Sequence, residues 1–336
     1  MPRGLTSPVQ APGRNENWAG RTGKGRQVFV KRFTGQAADA RARMRRSLAF
    51  GQMSASRAPD ITPRVLGWDE PSLLMVFELI DDAAGGGGLE LRQWTGTGRA
   101  FIAGSAVGVV HEMPAPDAGI SALMGGGPPP LPSAALLRGL PLPMFRSCSA
   151  GELKAWRLMQ RDAALAAAVD RLLAQSERAP RVPAHCDLRL DQFLFPATRE
   201  LPYLVDWEEF RLEDPARDVG SCAGEWLHRA VTRRTGPVPA APSHDDIMRH
   251  YEDGIEQARP VISAFWRGYR EARPDHDPGL AARATAFAGW HMYDRLLAGA
   301  RYSIRLDAVD RAAAGIGRAL MDAPGAAART IGLNAS

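Results

Sequence analysis

His185-Cys186-Asp187-Leu188-Arg189-Leu190-Asp191-Gln192 leads, after a short gap, to Asp206-Trp207-Glu208 and then Asp214-Pro215-Ala216-Arg217-Asp218; the 336-residue chain is read outward from this stretch. In the gap, Phe193-Leu194-Phe195 and Tyr203-Leu204-Val205 are β-forming patches around a turn from Pro196 to Pro202. A hairpin sets its two ends side by side. Asp187, the side-chain oxygen of Gln192 and Asp206 can therefore converge on one point.

Upstream, Asn15 to Lys31 reads NENWAGRTGKGRQVFVK, in which Gly20, Gly23 and Gly25 mark a turn between two strands. The second strand, Gln27 to Phe33, is rich in β-branched and aromatic residues. Residues 36–56 contain Gly51 but no other Gly or Pro and predict a helix. Val65 to Trp68 and Leu73 to Ile80 predict two more strands around the turn Asp69 to Ser72. Downstream of Gly85 to Gly88 the chain reads as helical, with a capping box at Ser149 and Glu152 and further helices over 244–272 and 280–322. A run of three Gly and four Pro from Gly125 to Pro132 reads as an excursion. The expectation is an α+β chain in two lobes: a tail over 1–13, a small antiparallel β lobe with one helix over 14–80, a linker over 81–95, a mostly helical lobe over 96–325 and a tail over 326–336.

The net charge is +5 and the pI about 9.4, yet no basic run interleaves with aromatics, so nucleic acid is not an expected partner. No apolar run reaches the roughly 18 residues that cross a bilayer, so no membrane is expected either, and a cytoplasmic location is the default. Cys148, Cys186 and Cys222 form no CxxC pair and read as reduced thiols. Among 42 basic residues only Lys24, Lys31 and Lys154 are lysines, which singles each of them out.

Phosphoryl transfer needs few protein parts: a carboxylate that orients the attacking hydroxyl, and oxygen ligands that hold Mg²⁺ against a triphosphate. Asp187, Gln192 and Asp206 are residues of the types such a site can use. The same residues resemble the catalytic loop, H-G-D-x-x-x-x-N, and the later metal-binding Asp of the aminoglycoside phosphotransferase and choline kinase family. That resemblance spans roughly residues 15–320. It implies a two-lobed protein-kinase-like fold with ATP and Mg²⁺ in the cleft, Asp187 as catalytic base, and Gln192 and Asp206 as metal ligands. It also implies that Asp218 braces the loop and that Lys31 lies on the α- and β-phosphates. Gly20 and Gly23 fit the nucleotide lobe, and the backbone from Phe77 through Glu78 to Ile80 faces the adenine. His185 reads as a structural hydrogen bonder of the loop. Two residues depart from the pattern: Cys186 stands in the Gly position and Gln192 in the Asn position. For Gln192, metal ligation and a structural hydrogen bond are equally open. The helix over 36–56 has no Glu to pair with Lys31; Asp39 lies early and Gln52 is the substitute. Glu208 and Glu209 read either as substrate-facing or as solvated, and Arg21 and Lys24 as phosphate contacts or as solvated. His291 reads as a satisfied core residue.

The longer strings HCDLRLDQFL and DWEEFRLEDPARDVG resemble the kinase-like subunits of class V lanthipeptide and thioamitide pathways. This narrower likeness implies a precursor-peptide Ser or Thr as acceptor and a separate phosphate-lyase partner. The alternatives are a small-molecule (aminoglycoside- or choline-like) kinase and a kinase-shaped scaffold without turnover.

Overall fold

In the computed structural model the described residues are 5–11, 14–96, 98–127, 129–233, 244–306 and 308–333. The small lobe comprises β1 (Leu5–Ala11), β2 (Glu16–Thr22), β3 (Gln27–Arg32), α1 (Ala37–Arg57), β4 (Val65–Asp69) and β5 (Leu74–Glu78). Its strands form an antiparallel sheet of order β1-β2-β3-β5-β4. Alternation along the strands sorts the side chains: Trp18, Val28 and Val30 bury together, while Phe33 and Met75 pack under Ala40, Met44 and Leu48 of α1. Gly51 is where α1 comes closest to the sheet, since a Cβ there would meet Val65 Cγ2 at 2.6 Å.

Three boundaries differ from expectation. Residues 5–11, expected as tail, add the edge strand β1, paired with β2 from Leu5 opposite Thr22 to Ala11 opposite Asn17; residues 1–4 and 12–13 lie outside the described residues. The expected linker over 81–95 holds β6 (Ala83–Gly85), a 3-10 turn at Gly86–Gly88 and the start of α2 (Leu91–Gly96). Backbone pairing does not need side chains, so an Ala-Gly run serves as a strand once Leu194 to Pro196 lie alongside it. At the other end, Pro324–Ile331 is helical and Ile331 and Leu333 are buried, so residues 326–333 are not a tail; residues 334–336 lie outside the described residues.

The large lobe continues with α3 (Arg99–Glu112), α4 (Ala118–Met124), α5 (Ala134–Arg138), α6 (Leu142–Ser147), α7 (Ala150–Gln160) and α8 (Ala163–Glu177). The Ser149–Glu152 capping box starts α7 as expected. Then come β7 (Val182–Ala184), β8 (Phe193–Pro196), β9 (Tyr203–Leu204), β10 (Arg211–Glu213), α9 (Ala216–Thr232), α10 (His244–Ala272), α11 (Leu280–Ala300), α12 (Ala308–Asp322) and α13 (Pro324–Ile331). The segment 280–322, expected to be helical, holds two helices, α11 and α12. One large core joins α3, α9, α10 and α11, with Trp94, Trp226, Phe265 and Tyr269 buried at its centre.

Candidate active site

β7 pairs with β10, Ala184 opposite Arg211, and the loop His185–Gln192 leaves from the end of that ladder. The expected hairpin is present: Phe193 pairs with Leu204, and Val205 N–H donates to the Gln192 carbonyl at 3.0 Å. The loop is tied from behind. Asp218, fully buried at the start of α9, accepts the backbone N–H of His185 at 2.6 Å and of Cys186 at 2.8 Å. His111 donates to the same carboxylate at 3.1 Å and accepts from Tyr269 Oη, which accepts from Arg273. Burial works against the Asp218 charge, but the bonds from His111 and His185 outweigh it and hold the pKa below the usual range. His185 Nε2–H donates to the Val205 carbonyl at 2.9 Å and its ring packs on Trp207; burial keeps the imidazole neutral. Cys186 takes φ 66°, the left-handed region that suits the usual Gly, and burial pushes its thiol far up, out of the reactive range.

Asp206 also sits at positive φ, 72°, which turns its carboxylate out of the hairpin into the gap between the lobes. There Lys31 Nζ, on β3, reaches it and lies 3.2 Å from Glu208 Oε2. Lys31 is only 7 % exposed. Burial disfavours its ammonium, yet Asp206 and Glu208 outweigh that and raise the pKa, and Lys31 in turn holds Asp206 low against burial. The cavity at this point, about 350 Å³, is lined by Asn17, Phe29 and Lys31 of the sheet, by Glu78 to Ile80, and by Val205 and Asp206. Glu78 and Ile80 thus line it, whereas Gly20 and Gly23 do not: Gly20 pairs with Val28 inside the sheet and Gly23 lies in the turn beyond. Arg21 and Lys24 are away from the cavity too. Asn17 Oδ1 is buried beside the cavity without a partner, an oxygen left for a ligand to bond.

The partner of Lys31 is not on α1. Asp39 binds Arg14 and Arg43, and Gln52 is not among the Lys31 contacts. The charge pattern is exchanged instead: Glu208 supplies the carboxylate from the large lobe and α1 supplies arginines. Arg43 Nη1 lies 3.2 Å from Glu208 and 2.8 Å from Asn15 Oδ1, and Asn15 Nδ2 donates to Glu208 at 2.8 Å. Arg46 Nε donates to the Glu208 carbonyl at 2.6 Å. Glu209 is held by Arg211 at 2.6 Å and by Arg46. Neither glutamate is a solvated one. Phe50 of α1 stacks on Trp207, centroids 3.3 Å apart, beside this cluster. The sequence signal for it was an Arg-rich helix without Glu, in which Arg43 and Arg46, three apart, share a face.

Asp187 opens onto a second cavity of about 220 Å³, lined on the loop side by Cys186 to Arg189 and opposite by Phe287, Trp290, His291 and Asp294 of α11. Burial pushes the Asp187 pKa up to about 7; Arg189 pulls it down, and Asp206 and Asp294 push it further up. His291 is satisfied by Glu225 at 2.8 Å, as a core residue. Gln192 is 2 % exposed, and its Oε1 accepts the Arg189 N–H at 2.8 Å while Nε2 finds no partner. That bond occupies one lone pair of the amide oxygen and leaves the other. Mg²⁺ keeps water and phosphate in its shell and takes one or two protein oxygens. The Asp206 carboxylate at the cavity edge fits such a set; Gln192 lines neither cavity. Among the described residues no three of His, Cys, Asp or Glu gather into a preformed metal cage, and no helix is long and apolar enough to cross a membrane.

Residues 7–261 match the phosphotransferase enzyme family known as APH. No curated protein sequence matches the chain. Among solved structures, the fold is similar to a choline/ethanolamine kinase family protein from Mesorhizobium loti, at 17 % identity over 97 % of this chain and 91 % of that one, with TM-score 0.56. It is similar to an aminoglycoside phosphotransferase from Alicyclobacillus acidocaldarius, at 15 % identity over 98 % and 91 %, TM-score 0.51. An amicoumacin kinase solved in complex with AMP-PNP, Ca²⁺ and Ami is 14 % identical over 96 % and 89 %, TM-score 0.50. These likenesses establish the two-lobed kinase-like fold. The chain belongs to the APH phosphotransferase family, as a kinase whose acceptor is an alcohol.

Proposed function

We propose that the chain transfers the γ-phosphoryl group of ATP, with Mg²⁺, to a hydroxyl presented in the cavity beside Asp187. The observation that carries this is the meeting of Lys31 and Asp206 across the inter-lobe cavity, with the Asp187 cavity adjoining the same loop. Lys31 binds the phosphates, and Asp206 holds the metal, which when bound neutralises charge developing on the transferred group. Asp187 orients the acceptor hydroxyl and takes its proton. Arg189, whose charge acts on Asp187, balances the acid pair. Phe287 and Trp290 exclude water from the acceptor side.

The acceptor cavity is lined by Arg14, Arg189 and Arg217 and by Asp187, Glu209 and Asp294. Equal charge of both signs does not suit a polycationic antibiotic, which needs an acid excess. A Ser or Thr side chain of a precursor peptide suits this lining, and the likeness of HCDLRLDQFL to peptide-pathway kinases supports it. A separate lyase then removes the phosphate to leave a dehydroamino acid. The second reading is a small neutral or zwitterionic alcohol, favoured by the cavity's modest size and the choline/ethanolamine kinase fold. Mass spectrometry after incubation with ATP, Mg²⁺, Ser/Thr peptides and a panel of small alcohols tests this. One added phosphate on a peptide hydroxyl is the expected result. Phosphate on small alcohols alone removes the peptide, and no transfer with ATP bound removes Asp187 as base.

A further inference from the structure

Lys154 and Arg157 stand along α7 with Arg161 just past its end, and Arg305 and Arg311 face them from the turn after α11 and from α12; with Leu158 and Leu306 they line a concavity of about 500 Å³. Among the described residues its lining holds no carboxylate and none of its arginines has an ion-pair partner. On the α7 side the acidic residues nearest in sequence are already engaged; on the other side Asp310 is not free, and Asp307 lies outside the described residues. Glu152 closes the capping box on Ser149, and Asp162 caps α8 and holds Arg318. Leu158, Ile304 and Tyr302 are 42 %, 76 % and 88 % exposed, an unusual set of large apolar side chains beside so many cations.

The hollow has a firm mount. Ser149 Oγ donates to the Ala300 carbonyl at 3.1 Å and Lys154 Nζ to the Ile304 carbonyl at 2.8 Å. At Gly151 a Cβ would strike the carbonyl oxygens of Ala300 and Ser303, so the glycine lets α7 seat on the end of α11. The same α11 carries Trp290 and Asp294 in the acceptor cavity. From Asp294 to Ala300 the helix rises about 9 Å, a distance an extended peptide covers with about three residues.

We infer that this concavity is a docking seat for an acidic peptide segment in which Asp or Glu alternates with apolar side chains. The inference rests on the peptide reading above for what the segment belongs to: a docked substrate places its hydroxyl residue farther along α11. Several like charges gathered with no counter-charge among the described lining residues repel one another, and a polyanionic strand relieves that repulsion. A bilayer meets a flat or convex face, and a nucleic acid spreads its phosphates along a track longer than one hollow. The apolar rim gives the peptide contacts that neither provides.

Fluorescence anisotropy of the full chain with a labelled peptide of alternating Glu and Leu, free of hydroxyls, tests the seat. Its controls are a Lys/Leu peptide, an oligothymidylate and phosphatidylserine vesicles. The Glu/Leu peptide is expected to bind, more weakly as salt rises. Arg157→Glu/Arg161→Glu/Arg311→Glu is expected to lose roughly tenfold or more of that affinity while ATP binding stays unchanged. Arg161→Ala, which only removes an exposed side chain, is expected to weaken the peptide by about threefold. Equal peptide binding by these variants overturns the seat, as does tighter binding of the oligonucleotide or the vesicles than of the peptide. Because the probe carries no hydroxyl, peptide binding that survives a failure of peptide phosphorylation leaves the seat standing and removes only the acceptor assignment.

Discussion

The two cavities on either side of the His185–Gln192 loop are built in opposite ways. The nucleotide-side cavity is closed by charge: Lys31, Asp206, Glu208 and Arg43 come from different lobes and each satisfies the next. The acceptor-side cavity is closed by burial, with Asp187 set among α11 residues and its pKa lifted to about 7. The first arrangement fixes geometry, because removing any member strands a buried charge. The second tunes chemistry, because a carboxylate near neutrality is an efficient proton acceptor. Under the proposed function the first side holds the phosphates and the second activates the hydroxyl, so variants on each side should fail differently.

The largest expected effect lies on the acceptor side. Asp187→Asn keeps the shape but cannot accept a proton, and a positioned general base contributes roughly 10²–10⁴-fold. Turnover should fall by about three orders of magnitude while ATP affinity, read by calorimetry, stays as it was. Turnover within tenfold of the parent would remove the contrast drawn between the cavities. On the nucleotide side Glu208→Ala should act on the whole molecule. It leaves Lys31 and Arg43 partly unpaired in a buried site, and breaking such pairs costs about 3–5 kcal/mol. Lower thermal stability together with weaker ATP binding is the expected outcome in differential scanning calorimetry and titration; a loss of turnover alone would mean that Glu208 touches the acceptor instead.

Smaller, and confined to the acceptor side, is the pH response. Protonating Asp187 removes the base, so the rate at saturating substrates should fall with falling pH, about tenfold per pH unit once below the pKa. A nearby metal and Arg189 favour the charged form, so the acid limb should lie no higher than about pH 7. In Asp187→Asn the limb should vanish; its persistence there would assign it to another group.

What the sequence made legible follows the same division. Local patterns told the truth: the hairpin between Gln192 and Asp206, the Ser149 capping box and the strand carrying Lys31 all depend on neighbours a few residues apart. Long-range pairings stayed hidden. Ala83–Gly85 looks like a linker because its partner strand begins more than a hundred residues later. Glu208 reads as substrate-facing or solvated until Arg43 and Asn15, far away in the chain, close around it. The resemblance put Gly20 and Gly23 in the nucleotide lobe, yet Gly20 pairs inside the sheet, Gly23 lies in the turn beyond, and Asn17, on the strand of Gly20, lines the cavity instead.

The smallest expected effect tests how the loop itself is held. Cys186 occupies the left-handed region at φ 66°, which costs a non-glycine residue about 1–2 kcal/mol. Two buried hydrogen bonds to Asp218, from the N–H groups of His185 and Cys186, keep it there. Cys186→Gly removes the strain but loosens the unfolded chain by about 0.5–1 kcal/mol, and it gives up the packing of the thiol. The terms nearly cancel, so stability should change by less than about 1 kcal/mol and turnover should be retained. A large loss would mean that the thiol's packing against the acceptor wall, and not the Asp218 brace, sets the position of Asp187. The loop would then belong to the buried design of the acceptor cavity alone, and the brace from α9 would be incidental to it.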